Sequence, residues 1–340
     1  MRPRVNVVMP VRDGGATVRA AVEGLLRQTI AEVEVVVIED GSRDDTPTIL
    51  AALARDEPRL EVISTSGIGI GPALGLGLVE CRAPFVARMD ADDLCAPERL
   101  EAQVAFLEAN PEVVLCGTHV TIAGLGGEPP GGHDAARQWI GAIRTPEDVR
   151  RELWVECPIL HPTFCFRREE VVRAGGYRAG PFPEDYELVL RLAARGHAMA
   201  NVPRELVTWR DSATRASRVL PAYSRDAFFR LKAEWLALTR LAARPAIVWG
   251  AGKVGRFVAR ELLRAGVEKL AGFVDIDPLK WGRTVRERPV WRPEELLDAL
   301  AREPRPLVLG AVGTLGARAL IREALAGLGL AEVEDFVMVA

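Results

Sequence analysis

The sequence predicts an α/β protein: a mainly parallel, mixed sheet flanked by helices, followed by a second, smaller α/β unit. Three observations carry that prediction. From Val5 to Arg210, β-branched apolar runs alternate with helical stretches, the grammar of a sheet covered by helices. Several of these runs end in acidic turns, such as Glu39-Asp40-Gly41-Ser42 and Arg88-Met89-Asp90-Ala91-Asp92-Asp93. At Arg244-Pro245 the alternation starts afresh, so a chain of 340 residues divides into a domain over 1–220, a helical linker over 221–244 and a domain over 245–340.

The elements follow in order. Val5 to Met9 reads as a buried strand and Ala16 to Gln28 as a helix. Val33 to Glu39 is a β-branched strand, and the following helix takes Thr46 as its N-cap and Pro47 at its first position. Leu60 to Ile63, a Gly-rich helix and the strand Phe85 to Met89 repeat the unit. A helix over Pro97 to Asn110 ends at Asn110-Pro111, before a strand over Val113 to Gly117. Gly124 to Asp134 is rich in turn residues and reads as an exposed loop, while Thr145-Pro146-Glu147-Asp148 is a capped helix start. A short strand near Thr163 to Phe166, a helix over Glu184 to Arg195 and an edge strand near Leu206 to Arg210 complete the first part. Pro221 to Ala243 reads as a long helix, and Ala246 to Trp249 opens the second α/β unit.

The composition narrows the function. With 49% apolar and 27% charged residues the chain is globular, and a net charge of -3 argues against nucleic acid as a partner. Five scattered cysteines without a C-x-x-C pair indicate neither a disulfide framework nor a zinc knot. The N-terminal MRPRVNVVMP lacks the pattern of a signal peptide, so a cytoplasmic location is expected. Val62 to Val79 is uncharged, but its glycines and Pro72 favour strand, turn and buried helix over a membrane span.

Arg88 to Asp93 forms the sharpest constellation, because ligands collect at the carboxyl ends of strands in open α/β sheets. Asp90 and Asp92 are two apart, so an extended backbone points both carboxylates to one side. Paired carboxylates suit a hard divalent cation, Mg²⁺ or Mn²⁺, which takes further ligands from substrate phosphates. The same residues would also serve as an acidic N-cap cluster for the helix near Pro97. Asp40, ending the second strand, can accept hydrogen bonds from a nucleobase or ribose, or simply satisfy its own turn. Pro10-Val11-Arg12-Asp13-Gly14 ends the first strand and faces the same crevice. Asp185, in Pro183-Glu184-Asp185-Tyr186, can act as a general base or favour a helix dipole.

Together these segments resemble the family 2 glycosyltransferases of GT-A fold. The matching text is VNVVMPVRDGGATVRAAVEGLLRQT, VVVIEDGSRDDT, FVARMDADDLCAPERLEAQVAFLE, HPTFCFRREEVVRAGGY and PEDYELVLRLAARG. The resemblance implies a metal-dependent, inverting enzyme of hexosyltransferase type. It implies a nucleotide diphosphate sugar donor, with a UDP-sugar favoured, and a hydroxyl acceptor on a glycan or lipid-linked sugar. It assigns Pro10, Val11, Asp13 and Asp40 to the nucleotide pocket, and Arg88, Asp90, Ala91 and Asp92 to the diphosphate side, with Asp90 and Asp92 at the metal. Asp185 becomes the catalytic base, with Glu184 beside it shaping the acceptor site and His161 in a packing or acceptor-side role. Polysaccharide or glycolipid assembly is the expected setting, which admits a peripheral membrane contact. The family's Arg-x-His motif is replaced by TWRDSATRASR, leaving Arg210, Arg215 or Arg218 to serve the diphosphate, and its aromatic-Asn after the first strand is Arg12-Asp13.

In the second unit, Gly250-Ala251-Gly252-Lys253-Val254-Gly255 spells G-x-G-x-x-G between a strand and a helix, with Asp275 ending the next strand. This resembles Rossmann-like domains that bind NAD(P) or another nucleotide; the same glycines also serve tight packing, or a fold used for dimerisation. An NAD(P)-dependent sugar-nucleotide oxidoreductase and a non-catalytic sugar-nucleotide-binding protein are the competing readings. None of Tyr177, Tyr186 and Tyr223 precedes a lysine by four residues, as a short-chain dehydrogenase requires.

Overall fold

The structure, a computed structural model, describes residues 2–124, 133–211 and 216–340. Contacts divide the chain into two compact units: Met1–Val149 with Pro158–Leu220, and Arg150–Cys157 with Pro221–Ala340.

The first unit is built on an eight-stranded sheet. Its strands are β1 (Val5–Val11), β2 (Val33–Asp40), β3 (Leu60–Thr65), β4 (Phe85–Arg88), β5 (Leu94–Cys95), β6 (Val113–Gly124), β7 (Cys165–Arg167) and β8 (Ala198–Asp211). The order is β3-β2-β1-β4-β7-β6-β8-β5, parallel through the first four strands and antiparallel about β7. Val5 pairs with both Val33 and Phe85, so the three central strands start level and end on a common edge.

β1 and β2 are apolar on both faces because helices cover both. On one face Val5, Val7 and Met9 join Val35, Val37 and Ala87 in a core closed by the helices Val18–Leu26 and Arg99–Ala109. On the other face the helix Ile70–Glu80 lies against β1 and β2. Gly77 permits that approach, since a Cβ there would stand 2.5 Å from Val8 Cγ1.

Several boundaries differ from expectation. Thr46 is not the N-cap; it opens the helix Thr46–Asp56, and Asp45 holds the cap position. The strand predicted over Val113 to Gly117 runs on to Gly124, because β6 continues alongside a longer β8. β8 is not an edge strand, since the two-residue β5 pairs outside it. The predicted loop Gly124 to Asp134 falls mostly outside the described residues, and the helix His133–Ala142 begins within its expected end. The helix predicted over Pro221 to Ala243 resolves into a turn of 3₁₀ helix, Pro221–Tyr223, and a helix Arg225–Thr239 whose cap Ser224 accepts from the Ala227 N–H at 3.3 Å.

The second unit carries a six-stranded sheet of β9 (Ala246–Trp249), β10 (Leu270–Val274), β11 (Thr284–Val285), β12 (Arg288–Trp291), β13 (Leu307–Gly310) and β14 (Phe336–Met338). The order is β11-β12-β10-β9-β13-β14, parallel except at β11. The chain builds outward in opposite directions from β9, so a topological switch point lies beside it.

Candidate active site

The carboxyl ends of β1 and β2 are laced together by their loops. The Asp13 N–H donates to Ser42 Oγ at 2.9 Å, and Asp13 Oδ1 accepts from the Arg43 N–H at 2.7 Å. Gly14 N–H donates to Thr46 Oγ1 and Gly15 N–H to Asp44 Oδ2, at 2.9 and 2.8 Å. Asp13 holds a left-handed φ of 53°, tolerable for aspartate and fixed here by bonds on both sides. Pro10 and the buried Val11 end β1 just before these loops.

Asp40 turns inward. Its Oδ1 accepts from Thr65 Oγ1 at 2.5 Å and the Ile68 N–H at 2.6 Å, and Oδ2 accepts from the Gly69 N–H at 2.8 Å. Burial alone would raise its pKa, but these bonds and the nearby Arg12 charge hold it below the ordinary carboxylate value. Both oxygens thus fix the loop from Ser66 to Gly69.

The end of β4 rests on buried polar groups. Arg99, wholly buried, donates to the Arg88 carbonyl at 2.6 Å and to Gln103 Oε1 at 3.0 Å, and Gln103 Nε2 donates to the Thr163 carbonyl at 2.7 Å. Arg88 is itself 2% exposed and pairs with Asp90 Oδ1 at 2.5 Å, while its Nε and Nη1 have no hydrogen-bond partner among the described residues. Past it, Asp90, Asp92 and Asp93 each bring a carboxylate oxygen within 4.8 Å of the others. Ala91, buried between them, leaves the turn compact.

Pairing of β5 with β8 carries Arg210 to this cluster. The Arg210 backbone N–H donates to Asp93 Oδ1 at 2.7 Å, and its Nε donates to the Asp92 carbonyl. Of the other two arginines expected here, Arg218 forms a two-point pair with the buried Asp211, and Arg215 lies outside the described residues.

The helix Glu184–Ala194 delivers the third group. Glu184, buried at its start, meets His161 Nδ1 at 3.3 Å, and His161 Nε2 meets the Tyr177 hydroxyl at 3.2 Å. His161 packs edge-on to Phe164, with ring centroids 5.0 Å apart. Asp185 Oδ1 accepts from the Tyr186 N–H at 2.7 Å. Crowding by protein pushes the Asp185 carboxyl up to about 6; the Glu184 charge adds to the rise, and His161 and Arg88 oppose it. Arg88 lies within electrostatic reach of Asp90, Glu184 and Asp185, so the acidic cluster and the helix start converge on one arginine.

Residues 6–176, half of the chain, match the profile of glycosyl transferase family 2. The chain belongs to that family. This glycosyltransferase is 34% identical over 186 residues to the amylovoran biosynthesis glycosyltransferase AmsE of Erwinia amylovora, covering 54% of this chain and 67% of that protein. It is 26% identical over 219 residues to the UDP-Gal:alpha-D-GlcNAc-diphosphoundecaprenol beta-1,3-galactosyltransferase of Escherichia coli, covering 64% and 77%. Its fold resembles that of S. aureus TarS 1-349, solved in complex with UDP-GlcNAc, with a TM-score of 0.55 at 16% identity over 79% of this chain and 74% of that one.

The hard oxygen donors of Asp90, Asp92 and Asp93 fit a divalent cation that shares its shell with phosphate. Asp93 completes the acidic run that the sequence shows, and the fold adds its carboxylate to the expected metal pair of Asp90 and Asp92. Two further contacts have no sequence signal of their own: Tyr177, at the end of the HPTFCFRREEVVRAGGY block, reaches His161, and Arg88 pairs with Asp90.

In the second unit of the glycosyltransferase, Gly250, Gly255 and Asp275 come together. A Cβ on Gly255 would stand 1.7 Å from the Gly250 carbonyl oxygen, and Gly250 has a φ of 117°. Gly252 caps the helix Lys253–Arg264 and borders open space. Asp275 is committed to protein donors: Oδ2 accepts from the Ala251 N–H at 2.8 Å and Lys280 Nζ at 3.0 Å, and Oδ1 from the Asp277 N–H at 2.9 Å.

Proposed function

We propose that this family 2 glycosyltransferase is a metal-dependent, inverting enzyme. It moves a hexose from a nucleotide diphosphate sugar, with UDP as the favoured carrier, to a hydroxyl on a glycan or lipid-linked sugar. The observation that carries the reading is the convergence on Arg88 of an acidic cluster and a carboxyl whose pKa rises to about 6. One end suits a charged diphosphate and the other a proton transfer, as a displacement at an anomeric carbon demands. The galactosyltransferase relative, named for a UDP-sugar and a diphosphoundecaprenol-linked acceptor, supports the choice of substrates. The name of the amylovoran relative supports polysaccharide assembly.

Asp90, Asp92 and Asp93 would hold Mg²⁺ or Mn²⁺, which supplies charge to offset the negative charge growing on the departing diphosphate. Arg88 neutralises part of the cluster and keeps Asp90 in place. Asp13 and Asp40 hold the loops that border the nucleotide, and Pro10 and Val11 form its wall. Asp185 takes the proton of the acceptor hydroxyl as that oxygen attacks, so a single displacement inverts the anomeric centre. Glu184, held by His161, shapes the acceptor side. Arg210 is the arginine we assign to the diphosphate side. In the second unit we assign Gly250 and Gly255 to helix–strand packing and Asp275 to holding the glycine loop.

The test is a pair of variants assayed with UDP-, GDP- and dTDP-sugars. Asp185→Asn should lower transfer about 10²- to 10⁴-fold, the usual range for a lost general base, while leaving donor affinity near wild type. Asp92→Ala should instead weaken metal-dependent donor binding. A wild-type protein that binds no nucleotide sugar would overturn the reading.

A further inference from the structure

At the opposite edge of the first unit's sheet, where β1 and β4 begin, lies a cavity of about 830 Å³. Arg2, Arg4, Arg82, Arg167 and Arg168 line it, together with Glu169 and Glu170. Phe85 marks this end of β4 and Arg88 the end that carries the acidic cluster, roughly 10 Å further along the strand at about 3.3 Å per residue. The cavity therefore shares no residue with the site already described.

Its charges do not cancel. Arg4 is paired with Glu108 at 2.7 Å, and Glu169 and Glu170 are each paired with Arg173 at 2.6 Å. The other four arginines have no carboxylate partner among the described residues. Arg167 spends its donors on the neutral carbonyls of Leu107, Val113 and Asn110, so its charge stays uncompensated beside the Phe85 ring. Arg168 is half-buried, and its Nε has no hydrogen-bond partner among the described residues. Arg82 is exposed, and its backbone is pinned by Asn6 Oδ1, which accepts from the Arg82 N–H at 2.9 Å. A concave space lined by arginines that keep a positive excess suits a ligand with several anionic oxygens. The planar guanidinium matches phosphate oxygens two at a time, which a lone surface lysine does not.

We propose that this cavity is a second, metal-independent binding site for a phosphate-bearing ligand, either a free diphosphate or the headgroup of an anionic lipid. Arg82 and Arg168 make its specific contacts, and Arg2 and Arg167 supply field.

The experiment titrates inorganic pyrophosphate into the full chain in EDTA, followed by calorimetry. Wild type should bind, Arg82→Ala/Arg168→Ala should raise the Kd at least tenfold, and Asp92→Ala should leave it within twofold. Among the described residues neither arginine's side chain bonds another side chain, so the double variant should keep the wild-type melting temperature and donor KM. Pyrophosphate binding that survives the double variant, that is lost in Asp92→Ala, or that wild type lacks overturns the proposal. Sedimentation with phosphatidylglycerol vesicles, set against phosphatidylcholine vesicles, separates the two sources once pyrophosphate binding has been lost in the double variant. Loss of vesicle binding in that variant identifies a lipid headgroup, and a protein that ignores both vesicles identifies the free anion.

Discussion

An aspartate that keeps its proton up to about pH 6 is a poor base in acid and a ready one at neutrality. Because burial raises the Asp185 pKa, its basic form is present above that value and lost as pH falls through it. The acid limb of kcat/KM should therefore bend near pH 6 and drop tenfold per pH unit below it; a limb bending at the ordinary aspartate value of about 4 would contradict the assignment. Asp40 has the opposite sign. Its folded pKa is lowered, so its stabilisation is full above the unfolded value of 3.8 and fades only as pH falls through the folded one. Replacing it with alanine frees three donors in the Thr65 to Gly69 loop and should cost on the order of 2–3 kcal/mol in urea unfolding at pH 7. Single residues were partly legible in the sequence. Asp90, Asp92 and Asp185 stand at strand and helix ends that periodicity locates. Arg210 was readable only as one of three candidate arginines, since strand pairing is what brings it to the acidic cluster, and Tyr177 was not readable, because a folded turn brings it to His161.

Among elements, the parallel core of β1 to β4 was readable because strands buried on both faces appear as continuous apolar runs. The antiparallel part was less so. β6 continues through residues that are only half-buried, and the two-residue β5 is too short to leave a pattern. The start of the helix His133–Ala142 was hidden by the glycines and prolines just before it. The helix Ile70–Glu80 allows a paired test. Gly77→Ala places a Cβ 2.5 Å from Val8 Cγ1 and should cost about 1–3 kcal/mol by overpacking. Gly75→Ala meets only an ordinary contact, Tyr177 O at 3.8 Å, and should stabilise by up to about 1 kcal/mol through helix propensity. Urea midpoints that move in the same direction for both would refute this account of the packing.

Across the whole molecule, two α/β units were foreseen from the restart of alternation near Arg244-Pro245. That the segment Arg150–Cys157 groups with the second unit could not be read from local pattern, because it depends on contacts far along the chain. Among the described residues no helix is long and apolar enough to cross a membrane. The central claim is that the carboxylates beyond β4 hold the cation that meets the donor diphosphate. Its most direct measurement is anomalous scattering from manganese in crystals grown with a UDP-sugar. The account predicts a peak about 2.0–2.2 Å from an Asp92 carboxylate oxygen, close to Asp90, and touching the diphosphate. A donor bound with its manganese away from Asp90 and Asp92 would contradict it.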